Sequence, residues 1–403
     1  MRLKIRKIST AELLVMFLMF VLSGAMYTLP TTPYMNSKLL SVAVMFVFMF
    51  FLKGKIKIKL KGTYSRFIVC FLSFVIILAF YSMIIHSEMP TDVFNICGGY
   101  FALIGYVLVQ NLTISKEQIQ KIFVNYTKLI VLFFFIQYAI FKISGNIIFI
   151  DFYNPQMRAG FLRAGVGSEF VALSIIIMFA EFLQTYRKKK RFDIKLIIWI
   201  GIFSVYFVLF ICIRAAILAI FLSCLVLVFI GTDSRKLKLG ILLLGVLGGA
   251  LILQSSVFDK YMQIDKIEGG GSITGRLVMY AYYFNGFMQH PIMGQGFIKP
   301  INSALTTLLY GPYGFYYLED VGIVAYLFTF GLVGLFLFLT FITKGMKTII
   351  SGYKDRSIFS DSVVLGVFMF LVFTMPTLFL FDYARNGFLM FVLLFMTPKS
   401  ERN

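Results

Sequence analysis

Long apolar runs alternate with short polar stretches along nearly all of the 403 residues. A helix needs roughly 20 apolar residues to cross the hydrocarbon core of a bilayer. On that basis the pattern predicts about 12 spans. They centre near Met19, Met45, Ser73, Ile104, Phe133, Ile176, Ser204, Leu222, Gly245, Ala325, Phe370 and Phe391. The last run is short, so its helix is expected to tilt, to fray or to extend toward Phe381. The basic start and first apolar run resemble a signal peptide, but the many spans that follow favour an uncleaved first helix. The expected fold is all-α: a polytopic membrane protein forming one integral domain over residues 1–403, with a large outer loop between the ninth and tenth spans.

Two segments break the alternation. Residues 144–168 form a first outer loop, carrying Asp151, Arg158, Arg163 and several glycines. Residues 255–317 form a second, far longer than the usual connection of about 4–6 residues. Within it, 277–284 places aromatic and aliphatic residues at helical spacing, which predicts a helix lying in the outer interface. The densest break is 269–296, where glycines, Arg276 and His290 stand between apolar runs.

Composition agrees with the pattern. The chain is 60% hydrophobic and 14% charged, against about half and a quarter in soluble domains. A net charge of +20 raises the question of nucleic acid. With a cytoplasmic N-terminus and alternating spans, however, the basic runs at 53–61, 187–191, 235–238 and 344–356 all fall inside. The inner side then holds about 28 basic and about 8 acidic residues, so the positive-inside rule absorbs the whole imbalance. Attraction to anionic membrane lipid follows, and no nucleic-acid partner is expected. Cys70, Cys97, Cys212 and Cys224 lie in apolar runs without a Cys-x-x-Cys pair, so they read as small buried hydrophobes.

The candidate chemistry sits on the outer side. Arg276 follows Gly275 and precedes the interfacial helix; its planar fork suits phosphate oxygens, and a helix N-terminus adds to an anion site. It could equally anchor to lipid headgroups. Arg214 interrupts an apolar stretch, where an arginine is costly unless paired or hydrated, so it is expected to face the protein interior or a wet cavity. Phosphate contact and an ion pair with Asp320 or Asp382 both fit it. Arg158 and Arg163 punctuate a glycine-rich loop that ends at Ser168-Glu169. Glu169 either complements the helix dipole or joins a site for an anionic lipid-linked substrate. His290 is a candidate general base or a turn residue beside Pro291; His86 reads as an interface anchor. Glu319-Asp320 opens a helix and could position or deprotonate an acceptor hydroxyl. No catalytic metal or cofactor is expected, because no metal-ligand spacing occurs.

Arg214-Ala215-Ala216 at the head of an aliphatic span resembles the Ser-Arg-Gly-type helix start of the O-antigen polymerase and ligase family. Gly275-Arg276, Tyr280 and His290-Pro291-x-x-Gly294-x-Gly296 resemble that family's large outer loop. Asp320-x-Gly322 and Phe330-Gly331-x-x-Gly334 resemble the following span, and 163–169 its earlier outer loop. The resemblance covers about residues 155–340, with the earlier third alike in hydropathy alone. Three positions depart from the pattern. Ile213 replaces the usual serine, Tyr280 stands where tryptophan is frequent, and Ile301-Asn302 lacks the histidine of the His-Asn pair found in ligases.

The resemblance implies a metal-independent, inverting glycosyltransferase in the bacterial cytoplasmic membrane. Both termini would be cytoplasmic and the active site would face the periplasmic or outer side. It would polymerise undecaprenyl-diphosphate-linked repeat units into O-antigen, capsule or a similar polysaccharide, with a flippase and a chain-length regulator as pathway partners. Arg158, Arg163, Arg214 and Arg276 would hold the diphosphate, while His290, Glu169 or Asp320 would supply the base. A ligase of the same superfamily and a lipid-linked oligosaccharide transporter are the alternatives.

Overall fold

The computed structural model describes residues 8–23, 42–49, 59–146, 157–158, 161–162, 167–231, 235, 238–241, 243, 272–354, 357, 361–378, 381–382 and 385–398. Arg163, Asp151, the N-terminal basic cluster, Gly269–Gly271 and the span expected around Gly245 lie outside the described residues.

Helix α1 (Thr10–Leu22) starts at a capping box: the Glu12 amide donates to Ser9 Oγ, and the Ser9 amide donates to Glu12 Oε2. Residues 42–49 are helical. Helix α2 (Ser65–His86) is followed by α3 (Pro90–Cys97), which starts on Pro90. A 3-10 segment (Gly98–Leu103) carries α3 into α4 (Ile104–Gln110). Helix α5 (Lys116–Ser144) has its own capping box at Ser115 and stops at left-handed Gly145. After α6 (Ser168–Lys189) and α7 (Ile194–Tyr206), a π-helical turn (Phe207–Ile211) leads to α8 (Arg214–Gly231). Then follow α9 (Ser272–Gln289), α10 (Ser303–Tyr310), α11 (Gly322–Lys354), α12 (Ser362–Thr374) and α13 (Asn386–Met396).

Among the described residues, six helical stretches are long and apolar enough to cross a membrane: 65–86, 90–110, 116–144, 168–189, 194–211 and 322–354. Helices α1, α8, α12 and α13 are apolar but shorter. The helical expectation for 277–284 is met by α9. The fold is helical, as expected, with a two-residue strand pair among the described residues, β1 (Met157–Arg158) antiparallel to β2 (Phe161–Leu162). Two details differ from the sequence reading. The last helix does not reach Phe381: the Arg385 amide bonds the Asp382 carbonyl, closing a turn ahead of α13. Cys70 is exposed on α2 rather than buried, while Cys97 and Cys212 are buried.

The helices sort polar groups to two ends. At one end Lys116, only 1% exposed, donates to Asp361 Oδ2 (2.7 Å) and to the Thr397 carbonyl (2.9 Å). Lys344 Nζ reaches the Thr63 carbonyl at the same end, where α2 begins. Helix α2 runs from there to the opposite end, which holds His86, Glu169, Asp382 and Arg385, and α13 runs back from Arg385 to Thr397. The alternating span count groups these residues in the same way. An ion pair as buried as Lys116–Asp361 is costly to break singly. Lys116→Met is expected to lower stability by about 3 kcal/mol, read as thermal unfolding of detergent-purified protein. Adding Asp361→Leu should recover most of the loss, since no uncompensated charge then remains.

Candidate active site

The motif glycines hold a splice between two segments. Helix α11 breaks at Gly331, whose φ of 62° and ψ of −161° suit glycine alone. The break would orphan two amides and two carbonyls. The preceding turn takes up all four: the Gln295 and Gly296 amides donate to the Phe328 and Thr329 carbonyls (2.6 and 3.0 Å), and the Leu332 and Val333 amides donate to the Pro291 and Ile292 carbonyls (2.9 and 3.1 Å). These are the groups that would have bonded each other in an unbroken helix. Gly294 has φ of 72°, and a Cβ there would lie 2.7 Å from the Gly331 nitrogen. The two glycine motifs therefore serve close backbone approach.

This splice is fastened to α2. His86 Nε2–H donates to the Gln295 carbonyl (2.7 Å), and the Phe297 amide donates to Ser82 Oγ (2.8 Å). The Lys299 amide donates to Glu88 Oε1 (2.7 Å), and Lys299 Nζ pairs with Asp92 at 2.5 Å. Buried Gln295 closes the turn by donating to the Gly286 carbonyl (2.7 Å). His86, read from sequence as an anchor to the interface, is thus an internal tie.

His290 belongs to the same turn. Its amide bonds the Phe287 carbonyl, its carbonyl receives the Gly294 amide, and Nδ1 stands 3.4 Å from the Tyr81 hydroxyl. Among the described residues no hydrogen bond or ion pair joins its ring to an acid.

The acids gather elsewhere, around Arg385. Its Nε lies 3.6 Å from Glu169 Oε1, and a terminal nitrogen lies 3.7 Å from Asp382 Oδ2; its side chain is 20% exposed. Burial works against the Arg385 charge, while Asp382, Glu169, Glu319 and Asp320 together hold it. The Ser168 hydroxyl donates to the other Glu169 oxygen (2.7 Å), so Glu169 is shared between its helix start and Arg385. Burial raises the pKa of Glu319, as does neighbouring Asp382, with Arg385 opposing. Glu319 and Asp320 sit on a 3-10 turn (Leu318–Asp320) at the entrance to α11, held there by Gly322, where any Cβ would meet the Met375 and Pro376 backbone. Among the described residues no three acids converge as metal ligands do.

Arg276 stands on the first turns of α9, half-buried, one helical turn ahead of Tyr280. Tyr280 donates to the Pro376 carbonyl, and both Arg276 and Asp320 act on its hydroxyl, which brings them to one neighbourhood. Arg214 heads α8, two residues after left-handed Cys212 (φ 57°), and its side chain is exposed. Of the two surroundings expected for it, interior or wet cavity, the exposure leaves the second; the π-helical turn ends the preceding span, so Arg214 begins a helix instead of lying within one. Arg158 lies on β1, its side chain outside the described residues.

Sequence reasoning thus found Glu169, Glu319, Asp320 and Asp382 but missed Arg385, the residue that joins them. The available signal was a pair of opposite charges, Asp382 and Arg385, interrupting an apolar stretch.

No curated protein matches the chain. Residues 199–339, which run from the middle of α7 to just past the break in α11, match the family model Wzy_C, described as O-antigen ligase. Over that region the chain is similar to the O-antigen ligase family, consistent with the O-antigen polymerase/ligase superfamily that its motifs resemble.

Proposed function

We propose that the protein polymerises lipid-linked repeat units, transferring a growing glycan from undecaprenyl diphosphate to a new unit on the outer face of the cytoplasmic membrane. Members of the matched family are membrane enzymes acting on lipid-linked glycans. The observation that carries the reading is the cluster at one end of the bundle: Glu169, Glu319, Asp320 and Asp382 around Arg385, with Arg276 on the neighbouring helix. It combines a basic carboxylate with a separate cation, as transfer from a diphosphate requires.

Glu319 takes the role first assigned to Asp320. Its raised pKa makes it the stronger base. Its carboxylate accepts the acceptor hydroxyl's proton, and the oxygen attacks the anomeric carbon. The bond from that carbon to the diphosphate oxygen breaks, and the diphosphate leaves with the bonding pair. A single displacement of this kind inverts the configuration. Arg276 and Arg214 hold the departing charge, and the resemblance assigns Arg158 and Arg163 of the earlier outer loop to the same role. Glu169 acts through Arg385, and His290 serves the turn that carries the loop.

A ligase is the second reading, favoured by the description of the matched family. Against it stands Asn302, whose Oδ1 accepts the Leu305 amide (2.8 Å) as the N-cap of α10. The place where ligases carry a His-Asn pair is here a helix cap.

Arg276→Ala and Arg214→Ala are each expected to abolish chain lengthening while membrane insertion stays intact. Arg276→Lys keeps the charge without the fork and should retain partial activity. Near-normal glycan ladders from either alanine variant would remove the diphosphate clamp. Liposomes in which the purified protein moves lipid-linked units across the bilayer without lengthening them would replace the polymerase with a transporter.

A further inference from the structure

Beside the Arg385 cluster lies a cavity of about 220 Å³, bounded by α3, α10, α11 and the residues that follow the splice. We propose that it binds one uncharged sugar ring of the glycan substrate. The inference rests on the glycosyl-transfer reading and gives the cavity, rather than the arginines, the recognition of the carbohydrate.

Charge excludes the diphosphate from this space. The wall carries Asp92, Glu319 and Asp382 against one cation, Lys299, which is already bound to Asp92. A phosphate would meet net negative charge, whereas hydroxyl groups would find acceptors in every carboxylate. Asn95 adds an amide that both donates and accepts. Leu309 and Leu318, both part-exposed, offer apolar surface to the C–H side of a ring. The volume is smaller than the roughly 300–1,000 Å³ of sites for drug-sized ligands, so it suits one ring and not an oligosaccharide.

A second observation points to a ligand. Thr329 lines the cavity and is only 5% exposed, yet its hydroxyl makes no hydrogen bond among the described residues. Helical threonines commonly bond the carbonyl one turn back. A buried hydroxyl without a partner is costly; its oxygen is covered, so a turn of the side chain toward the cavity would bring it to a sugar hydroxyl there. The position is fixed by the splice, since the Thr329 carbonyl receives the Gly296 amide.

The test uses full-length protein in detergent. The probe is the water-soluble oligosaccharide released by mild acid from the lipid-linked single unit that accumulates in cells lacking the protein. Binding is read as the rise in thermal unfolding midpoint with probe concentration. Thr329→Val keeps the shape and removes the unpartnered hydroxyl, so without probe it should unfold at the wild-type temperature or above. Its probe binding should weaken roughly fivefold, the equivalent of one neutral hydrogen bond. Asn95→Leu should weaken binding further. Wild-type probe binding by both variants would overturn the proposal, as would stabilisation by inorganic diphosphate that Thr329→Val abolishes.

Opening the probe's reducing-end ring with borohydride separates the two sources of the sugar. Retained binding assigns the cavity to the acceptor's far end; lost binding assigns it to the donor sugar next to the diphosphate. Glycan ladders in the same preparation separate this inference from the reading beneath it. Probe binding that depends on Thr329 without elongation keeps the cavity and removes the polymerase. Elongation with unchanged probe binding in both variants does the reverse.

Discussion

Replacing Gly331 with alanine is expected to cost more than about 4 kcal/mol and to leave no chain-lengthening activity. Two effects add. The conformation of Gly331 is open only to glycine, and its Cβ would lie 2.4 Å from both the Gly294 nitrogen and the Ile292 carbonyl oxygen. Neither neighbour can yield, because both are backbone in the splice. Pushing the strands apart breaks the four exchanged hydrogen bonds, and each buried group left unpaired costs about 1–3 kcal/mol. Gly294→Ala should behave alike, with its Cβ 2.7 Å from the Phe328 carbonyl oxygen at φ of 72°. Gly201 supplies the contrast: it is helical, and a Cβ there meets nothing within 4 Å. Gly201→Ala should be neutral or gain up to about 1 kcal/mol. Thermal unfolding in detergent measures all three, and a Gly331→Ala protein that melts with the wild type would disprove the splice.

The glycines of this splice were visible in the sequence, but their use was not. Spacing marks Gly294, Gly296, Gly331 and Gly334 as exceptions within apolar surroundings, and allows either a ligand or another backbone to approach. The choice depends on a contact between segments about one helix apart, which no local pattern encodes. Hydropathy ran through the break in α11 unchanged, because Gly331 alters hydrogen bonding and not polarity. Spans were legible for the opposite reason: each needs only its own run of apolar residues. Glu169 and Glu319-Asp320 were legible as acids at helix starts. Their common partner was not, since Arg385 meets Glu169 across more than half the chain. Locally, Arg385 is one charge ahead of a short apolar run, with nothing in its neighbours in sequence to point to Glu169. Arg214 misled in the other direction: an apolar stretch with one arginine looks like a buried charge until the π-helical turn before it ends the helix.

Arg385→Gln is the substitution expected to damage the acidic cluster most. It leaves Glu169, Glu319, Asp320 and Asp382 facing one another without the cation whose charge they share. Removing one member of a largely buried charge set costs about 3–5 kcal/mol; the contacts at 3.6 and 3.7 Å are looser than a bidentate fork, so the lower end applies. Adding Asp382→Asn should recover part of it. The pH dependence has a definite sign. Glu319 already has a raised pKa, so its contribution to stability is complete below the ordinary value of 4.5 and is lost as the pH rises through the folded value. Arg385 opposes that rise, and without it the loss extends to higher pH. Arg385→Gln should therefore be less destabilising in mild acid than at neutrality. Activity should report the same change: with Glu319 as base, the rate climbs as its carboxyl ionises, and Arg385→Gln should carry that climb to higher pH. A structural role alone would lower the rate without moving the limb. An unmoved limb in a folded Arg385→Gln protein would therefore separate Arg385 from the base and return that role to Glu169, Asp320 or His290.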